Sequence, residues 1–270
     1  MQVTRHRFQY SGDDEFKFVG VGDMHWGTKN FDKDKWNRFI NWALSEEKLF
    51  VVLMGDLAEY ISHKDSRRFN PANITPECLL HLEDIINFQA EQVIEMLEPL
   101  KGKILGTVIG NHEIDITSHF KDNLYYDICK KLDILQYDLG LGGFIICDFE
   151  HTAGGNVKRL VFNVQHTHTT GRKMGGKTNR LIDEMTDYEA DIIMRAHSHD
   201  RVAVPYTLHR VNRVGQYETK KRLGVITGSF LQTRQAGIDS YADRGGYPTK
   251  DTGVVIIHYV PIREDLHVML

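Results

Sequence analysis

The chain has 270 residues, of which 41% are hydrophobic and 26% are charged, and its formal net charge at pH 7 is −4. This composition is typical of a globular protein, and the negative charge excludes a general attraction to nucleic acid, so such contact needs a local basic patch. Three cysteines without CxxC spacing argue against a disulfide framework or a thiolate zinc site. The polar residues 1–14 do not resemble a signal peptide, and no apolar run reaches the roughly 18 to 20 residues of a membrane helix. We therefore expect a cytoplasmic protein without membrane contact.

Strand-like and helix-like segments alternate in the first half of the chain. Short apolar runs rich in β-branched residues, typical of buried strands, occupy residues 16–22, 49–55 and 104–110. A helix is expected after the first run, with Asp32 as its cap. A long helix follows the second run, because Thr75 and Pro76 form a helix start. The predicted order is βαβα.

The second half is predicted to be richer in strands. A short helix over residues 122–132 follows the third run. The later predicted elements are a hairpin of residues 144–149 and 159–165, a helix over 178–188, and strands over 192–196, 201–206, 223–227 and 253–260. Together the patterns predict one α/β domain over residues 1–270, with helices on both faces and a β-rich part over 200–270.

Five apolar runs end on residues that can bind a divalent metal ion. Strands of one open sheet bring such residues together in a crevice at their carboxyl ends. Oxygen and imidazole ligands without thiolates suit Mn²⁺, Fe, Zn²⁺ or Ni²⁺ and do not resemble a calcium site. The residues concerned are Asp23, His25, Asp56, Asn111, His166, His197 and His199. The pattern predicts a polynuclear metal site.

The charge of this residue set indicates a reaction class. Asp23 and Asp56 are its two carboxylates, so two dications would retain a charge of about +2, or about +1 with a bridging hydroxide. Such a centre attracts anions, and two ions about 4 Å apart can hold a phosphoryl group and activate a water. We expect attack of a metal-bridging hydroxide on phosphorus, with His112 as the catalytic residue that protonates the leaving oxygen or stabilises its charge.

The same residues resemble, in order, the five motifs of the calcineurin-like metallophosphoesterase superfamily. The motifs read Asp23-Met24-His25, Gly55-Asp56, Gly110-Asn111-His112-Glu113, His166, and Ala196-His197-Ser198-His199. The resemblance implies a four-layer αββα sandwich of two mixed β-sheets flanked by helices. It also implies two metal ions, with Mn²⁺ favoured over Fe, Zn²⁺ or Ni²⁺.

The resemblance also assigns ligands to each ion. The first ion would take Asp23, His25, Asp56 and His199. The second would take Asp56, Asn111, His166 and His197. His112 matches the motif histidine that contacts the substrate phosphate and the leaving group.

The chain departs from the family pattern at two motifs. Ala196 stands where the last motif usually has glycine, and its methyl group is expected to tighten the turn. The fourth motif contains both His166 and His168. We favour His166 as the ligand because it directly ends its apolar run, and His168 remains the alternative.

A basic, glycine-rich stretch over residues 172–177 follows the fourth motif. Within it, Arg172 and Lys173 are candidate contacts to substrate phosphates or to a nucleic-acid backbone. A solvated loop without a function explains the stretch equally well.

Missing motif residues narrow the expected function. The Asp-Arg-Gly sequence of protein phosphatases does not follow Gly55-Asp56, and the tyrosine ligand of purple acid phosphatases is replaced by Glu59. We expect a nuclease-like phosphodiesterase whose substrate is a nucleotide or a nucleic acid. The alternatives are a phosphomonoesterase or pyrophosphatase of the same superfamily, and a catalytically silent scaffold. The complete ligand set argues against the scaffold, and the oligomeric state is not predicted.

Overall fold

The computed structural model describes residues 1–64, 69–120, 123–167, 173–235, 237, 246 and 248–270, with only the backbone of residues 118–120. The strands are β1 Gln2–Tyr10, β2 Phe16–Val21, β3 Leu49–Leu53, β4 Ile104–Thr107, β5 Gly142–His151, β6 Lys158–Gln165, β7 Ile192–Arg195, β8 Arg201–Val211, β9 Tyr217–Ser229, β10 Gly253–Val254, β11 Ile256–Val260 and β12 Asp265–Met269. The α-helices are α1 Lys33–Ser45, α2 Pro76–Leu79, α3 Ile85–Leu97, α4 Asn111–Phe120, α5 Leu124–Lys131 and α6 Met174–Asp187. No helix among these is long and apolar enough to cross a membrane.

Within the described ranges, the strands form two mixed sheets. The larger sheet has seven strands in the order β1-β5-β6-β7-β9-β10, with β8 paired to β9, and the smaller has five in the order β12-β11-β2-β3-β4. In the smaller sheet, β2, β3 and β4 run parallel. In the larger sheet, β6, β7 and β9 run parallel. Each sheet therefore gathers three parallel carboxyl ends at one edge.

Three separate cores show that the elements stack in four layers. Helices α1, α3 and α5 cover the outer face of the smaller sheet, where Trp36 and Val93 pack with Val19. The two sheets pack face to face through side chains such as Phe18 and Phe162. Helix α6 covers the other face of the larger sheet. The αββα sandwich implied by the resemblance is therefore confirmed.

Strand β2 shows how the sequence builds these layers. Its side chains alternate, so that Phe18 enters the core between the sheets and Val19 enters the core under the helices. Gly20 returns to the inter-sheet side, where an added Cβ would lie 2.2 Å from Thr227 Cγ2 on β9. A glycine is required there, because this close approach brings the edges of the two sheets together.

The predicted strands that carry the motifs are all present, and several other elements differ. Helix α1 is capped as expected, because an Asp32 carboxylate oxygen accepts from the backbone N–H of Lys35 at 3.0 Å. The long helix after Thr75 is broken into α2 and α3. At the break the His81 ring stacks on Phe88, with 4.0 Å between ring centroids. Helical periodicity does not indicate such a contact.

Three features of the fold were not anticipated. Strand β1 is parallel to β5, although the polar N-terminal residues gave no strand signal. Helix α4 begins at Asn111, inside the third motif. Helix α6 begins at Met174, so the prediction of a loop is wrong for residues 174–177. The assignment of residues 1–270 to a single domain stays a prediction.

Candidate metal centre

The predicted ligands lie where the two sheets meet. Asp23 and Asp56 follow β2 and β3 of the smaller sheet, and His166 and His197 follow β6 and β7 of the larger one. The expectation that strands of one open sheet would supply all the ligands is therefore wrong. Two parallel edges face each other, and the crevice between them collects side chains from both.

Hydrogen bonds between the sheets hold the crevice together at Asp23. One Asp23 carboxylate oxygen, Oδ2, accepts from the backbone N–H of His197 at 2.8 Å. The Ser229 hydroxyl, at the end of β9, donates to the Asp23 carbonyl oxygen at 2.8 Å. Asp23 is fully buried. Its position therefore depends on both sheets at once.

Left-handed backbone conformations recur among the predicted ligands. Residues other than glycine rarely adopt them, and each costs of order 1–3 kcal/mol unless the surroundings enforce it. The φ angles are +46° at Asp23, +49° at His25, +50° at Asp56, +74° at His197 and +58° at His199. Such strain concentrates at functional sites, because a sharp turn at a strand end points the side chain back over the crevice.

Two glycines allow the second and third motifs to approach each other. Gly55 has a φ of +78°, and a Cβ there would lie 2.4 Å from the backbone nitrogen of Gly110. A Cβ on Gly110 would lie 2.2 Å from the Asp56 carboxylate. The Gly-Asp and Gly-Asn-His motifs therefore need glycine so that Asp56 and Asn111 can share one site.

One group of possible ligands contains Asp23, His25 and His199. The Nε2 atoms of His25 and His199 are 3.3 Å apart, and His199 Nε2 is 3.4 Å from Asp23 Oδ1. Ligand atoms each about 2.1 Å from one ion have this spacing. His199 is the most open of the three, with 21% of its side chain exposed, so solvent reaches the group from its side.

A second group contains Asp56, His166 and His197. His166 Nε2 lies 3.2 Å from Asp56 Oδ2 and 3.1 Å from Asn111 Oδ1. Asp56 Oδ2 is also 4.0 Å from His25 Nε2 of the first group. The Asp56 carboxylate therefore stands between the two groups.

Backbone and carboxylate acceptors fix the orientation of two imidazoles. His166 Nδ1 lies 2.6 Å from the Met54 carbonyl oxygen, and His25 Nδ1 lies 2.9 Å from Glu59 Oε2. These contacts assign the proton to Nδ1 and leave an Nε2 lone pair directed into the crevice. At His166, that lone pair faces two oxygen acceptors. A proton or a metal ion is needed at this point, and the nitrogen and oxygen donors around it fit a divalent metal.

The ionisable groups of the site reflect this need. Burial lowers the pKa of His166, but the negative charges of Asp56 and Asp23 together outweigh burial and raise it to about 10. Burial opposes ionisation of Asp56, yet His112 and His166 hold its pKa well below its usual range. A proton and a metal ion therefore compete for the His166 ring, because a ligating imidazole is neutral.

His112 is held beside the ligands by two bonds. Its backbone N–H donates to Asp56 Oδ1 at 2.9 Å, and its Nδ1 lies 2.6 Å from the carbonyl oxygen of Glu59. Nε2 is then the ring atom that can exchange a proton with a substrate. Burial lowers its pKa, but the negative charges of Asp56 and Glu59 raise it to about 9. Bound cations would lower it again.

Glu113 has a structural role that the sequence left undecided. Its buried carboxylate accepts from three backbone N–H groups, those of Asp56 at 2.9 Å, Leu57 at 2.8 Å and Gly110 at 3.0 Å. This single side chain therefore ties the end of β3 to the start of α4. Its place three residues after Gly110, in the first turn of a helix, was the available signal.

The structure describes residues 173–177 of the basic stretch 172–177. Arg172 and the alternative ligand His168 lie outside the described residues. Lys173 is exposed and precedes the first turn of α6. Lys177 is buried, and its ammonium group donates to the Ser198 carbonyl oxygen at 3.3 Å and to Asp200. Lys177 therefore does not extend into solvent as a loop lysine would.

The family model of the calcineurin-like phosphoesterases matches residues 16–201. The chain belongs to this family. The matched segment runs from β2 to the start of β8 and contains all five motifs. A search of curated protein sequences finds no significant match. Calcineurin-like phosphoesterases are metal-dependent, in agreement with the clustered His and Asp side chains of this chain.

Solved structures with similar folds include other metallophosphoesterases. One from Sphaerobacter thermophilus has 11% identity and a TM-score of 0.40, and the match covers 94% of this chain and 89% of that one. Vps29 from Entamoeba histolytica, solved with Zn²⁺, has 11% identity and a TM-score of 0.38, covering 94% and 97%. An uncharacterized protein of Streptococcus pneumoniae, described as a predicted phosphoesterase, has 13% identity and a TM-score of 0.34, covering 95% and 98%.

Replacing Glu113 with glutamine tests its role as the brace of this family's second and third motifs. An amide cannot present two acceptor oxygens, so at least one buried N–H loses its partner. We expect the free energy of unfolding to fall by about 2 kcal/mol. Denaturant unfolding measures the loss. Glu91→Gln, an exposed substitution on α3, is the matched control, and an equal effect in both variants would contradict the role.

Proposed function

We propose that the protein is a metal-dependent phosphoric ester hydrolase that cleaves a phosphodiester, with a nucleotide or a nucleic acid as its substrate. The observation that carries the proposal is the convergence of Asp56 Oδ2 and Asn111 Oδ1 on the lone pair of His166 Nε2. A proton or a metal ion must lie there, and the family's metal dependence favours the metal ion. The Asp56 carboxylate joins that position to the group of Asp23, His25 and His199, which supports a pair of cations.

Two ions account for the seven predicted ligands. Asp23, His25 and His199 would hold one ion, Asn111, His166 and His197 the other, and Asp56 would bridge them. The donor set is nitrogen and oxygen without sulfur, and we favour Mn²⁺ over Fe, Zn²⁺ or Ni²⁺. When bound, two such ions neutralise phosphoryl oxygens and lower the pKa of a water.

His112 is proposed to deliver a proton to the leaving oxygen. The Glu59 carbonyl fixes its ring, and the Asp56 carboxylate accepts its backbone N–H. Both contacts hold the imidazole in one orientation before the substrate arrives. Because the Glu59 carbonyl holds Nδ1, Nε2 is the atom that can give a proton to an alkoxide leaving group.

A cavity that begins at the residue after the last motif supports a substrate that extends beyond the reacting phosphate. Asp200 directly follows His199 and lines an open cavity of about 360 Å³ together with Arg201 and Lys250. Lys250 pairs with Asp200. Arg172 and Lys173 are proposed to contact further phosphates of the substrate. A diester has a group on each side of its phosphorus, whereas a monoester has one, so a diester has the second group that this cavity can accept.

A substrate panel tests the proposed reaction. Purified protein with Mn²⁺ is assayed on a generic diester, a monoester, a pyrophosphate, cyclic nucleotides, and single- and double-stranded DNA and RNA. We expect the highest kcat/KM on a diester, and loss of activity with a chelator. A monoester or a pyrophosphate as the best substrate would replace the diester proposal. Metal-loaded protein that is inactive on every substrate would favour a scaffold.

His112→Ala separates catalysis from metal binding. We expect the variant to keep its metal content while kcat falls roughly 10²- to 10⁴-fold, because the leaving oxygen loses its proton donor. Elemental analysis and initial rates on the best substrate measure the two properties. His209→Ala, an exposed substitution on β8, is the control. A rate close to that of the unchanged protein would show that His112 is not the acid.

The fourth motif is tested by comparing His166→Ala with His168→Ala. We expect the first to bind about one ion fewer per chain, because Asp56 and Asn111 lose their imidazole partner, and the second to keep its metal. Elemental analysis after dialysis against Mn²⁺ makes the comparison. The reverse result would assign the ligand to His168.

A further inference from the structure

A third group of possible metal ligands, outside the family motifs, lies at the other end of β2 from Asp23. Glu15 directly precedes β2, and His258 and His267 are opposite each other on β11 and β12. The six residues of β2 separate the two places by roughly 20 Å. None of these three residues belongs to the family motifs, so this group needs an explanation of its own.

The three side chains converge on a small volume. One ligand atom from each lies within 4.8 Å of the others. Glu15 Oε1 is 3.1 Å from His258 Nδ1 and 3.8 Å from His267 Nε2. The imidazole rings are nearly parallel, with centroids 4.8 Å apart. Both rings therefore present a nitrogen to the same carboxylate oxygen.

His258 lacks the hydrogen bonds that a buried imidazole normally makes. It is only 7% exposed, and within the described part of the chain neither of its ring nitrogens has a hydrogen-bond partner. Its Nδ1 faces Glu15 Oε1 at 3.1 Å without the direction of a hydrogen bond. A buried polar group without a partner is costly. Two atoms that bind the same metal ion lie about this far apart and point at the ion, not at each other.

A metal-binding histidine usually has a carboxylate or carbonyl near the ring nitrogen that does not bind the metal, and His267 has Asp265 there. Its Nδ1 lies 3.5 Å from Asp265 Oδ2, so a negative charge stands on that side of the ring while Nε2 faces Glu15. About half of the His267 side chain is exposed, which gives an ion a route from solvent. Lys17, opposite His258 on β2, directs its ammonium group to Glu46 at 2.6 Å and so does not occupy the site.

We propose that Glu15, His258 and His267 bind a divalent transition-metal ion such as Zn²⁺. Two imidazoles and one carboxylate favour Zn²⁺, Co²⁺ or Ni²⁺ over Mg²⁺ or Ca²⁺, which prefer oxygen ligands. Water completes the coordination on the exposed side. The ion joins the start of β2 to the C-terminal hairpin of β11 and β12. Because β12 is an edge strand, this link stabilises an element with one neighbouring strand.

The test compares Zn²⁺ binding by the full chain and by His267→Ala. Elemental analysis after dialysis against Zn²⁺ gives the metal content, and thermal unfolding with and without Zn²⁺ gives the stabilisation. We expect His267→Ala to bind about one Zn²⁺ fewer per chain and to lose part of the Zn²⁺-dependent rise in Tm. Glu15→Gln should reproduce both losses. His209→Ala, another exposed histidine on a strand, should show neither.

Metal at the family motifs is separated from this site with Asp56→Asn. That substitution removes the carboxylate proposed to bridge the two ions of the motifs, whereas the Glu15 group is untouched. Zn²⁺ that remains in Asp56→Asn and disappears in Asp56→Asn/His267→Ala supports the site, whether or not the protein hydrolyses phosphate esters. Equal Zn²⁺ content in the full chain, His267→Ala and Glu15→Gln would overturn it. An equal loss in His209→Ala would show unspecific surface binding and would also overturn it.

Discussion

The Glu113 carboxylate makes the contact on which the arrangement of the site depends. It accepts the backbone N–H groups of Asp56, Leu57 and Gly110, which would otherwise be unpaired in a water-excluded crevice. The contact fixes the end of β3 against the start of α4. Asp56 can then stand between two groups of possible ligands, and the backbone of His112 can donate to it. The motif glycines matter for the same reason, because only they permit this close approach.

The second organising constraint is electrostatic. Imidazoles and carboxylates are packed so closely that the pKa values of His166 and His112 are raised and that of Asp56 is lowered. The hydrogen bond from His166 Nδ1 to the Met54 carbonyl leaves its other nitrogen facing two oxygens. Protons or metal ions must supply the positive charge at such a place.

Much of the architecture could be predicted from local pattern. The apolar runs before Asp23, Asp56, Asn111, His166 and His197 are strands, and Asp32 caps a helix as expected, because strand and helix signals are encoded within a few residues. The pattern failed where distant contacts decide. The break before α3 accompanies stacking of His81 on Phe88. The polar strand β1 exists because β5 offers it a partner along its whole length.

The sequence by itself determined the family, the residue types at the strand ends and their order, because ligand chemistry and motif spacing are written along the chain. Only the tertiary structure decided which of those residues each sheet contributes, since pairing between distant strands has no local signature. The tertiary structure also showed that Glu113 links the second and third motifs through backbone N–H groups, and that Lys177 is buried against Asp200. In each case the deciding partner lies far away in sequence, and burial gives a charged group its role by limiting what it can contact.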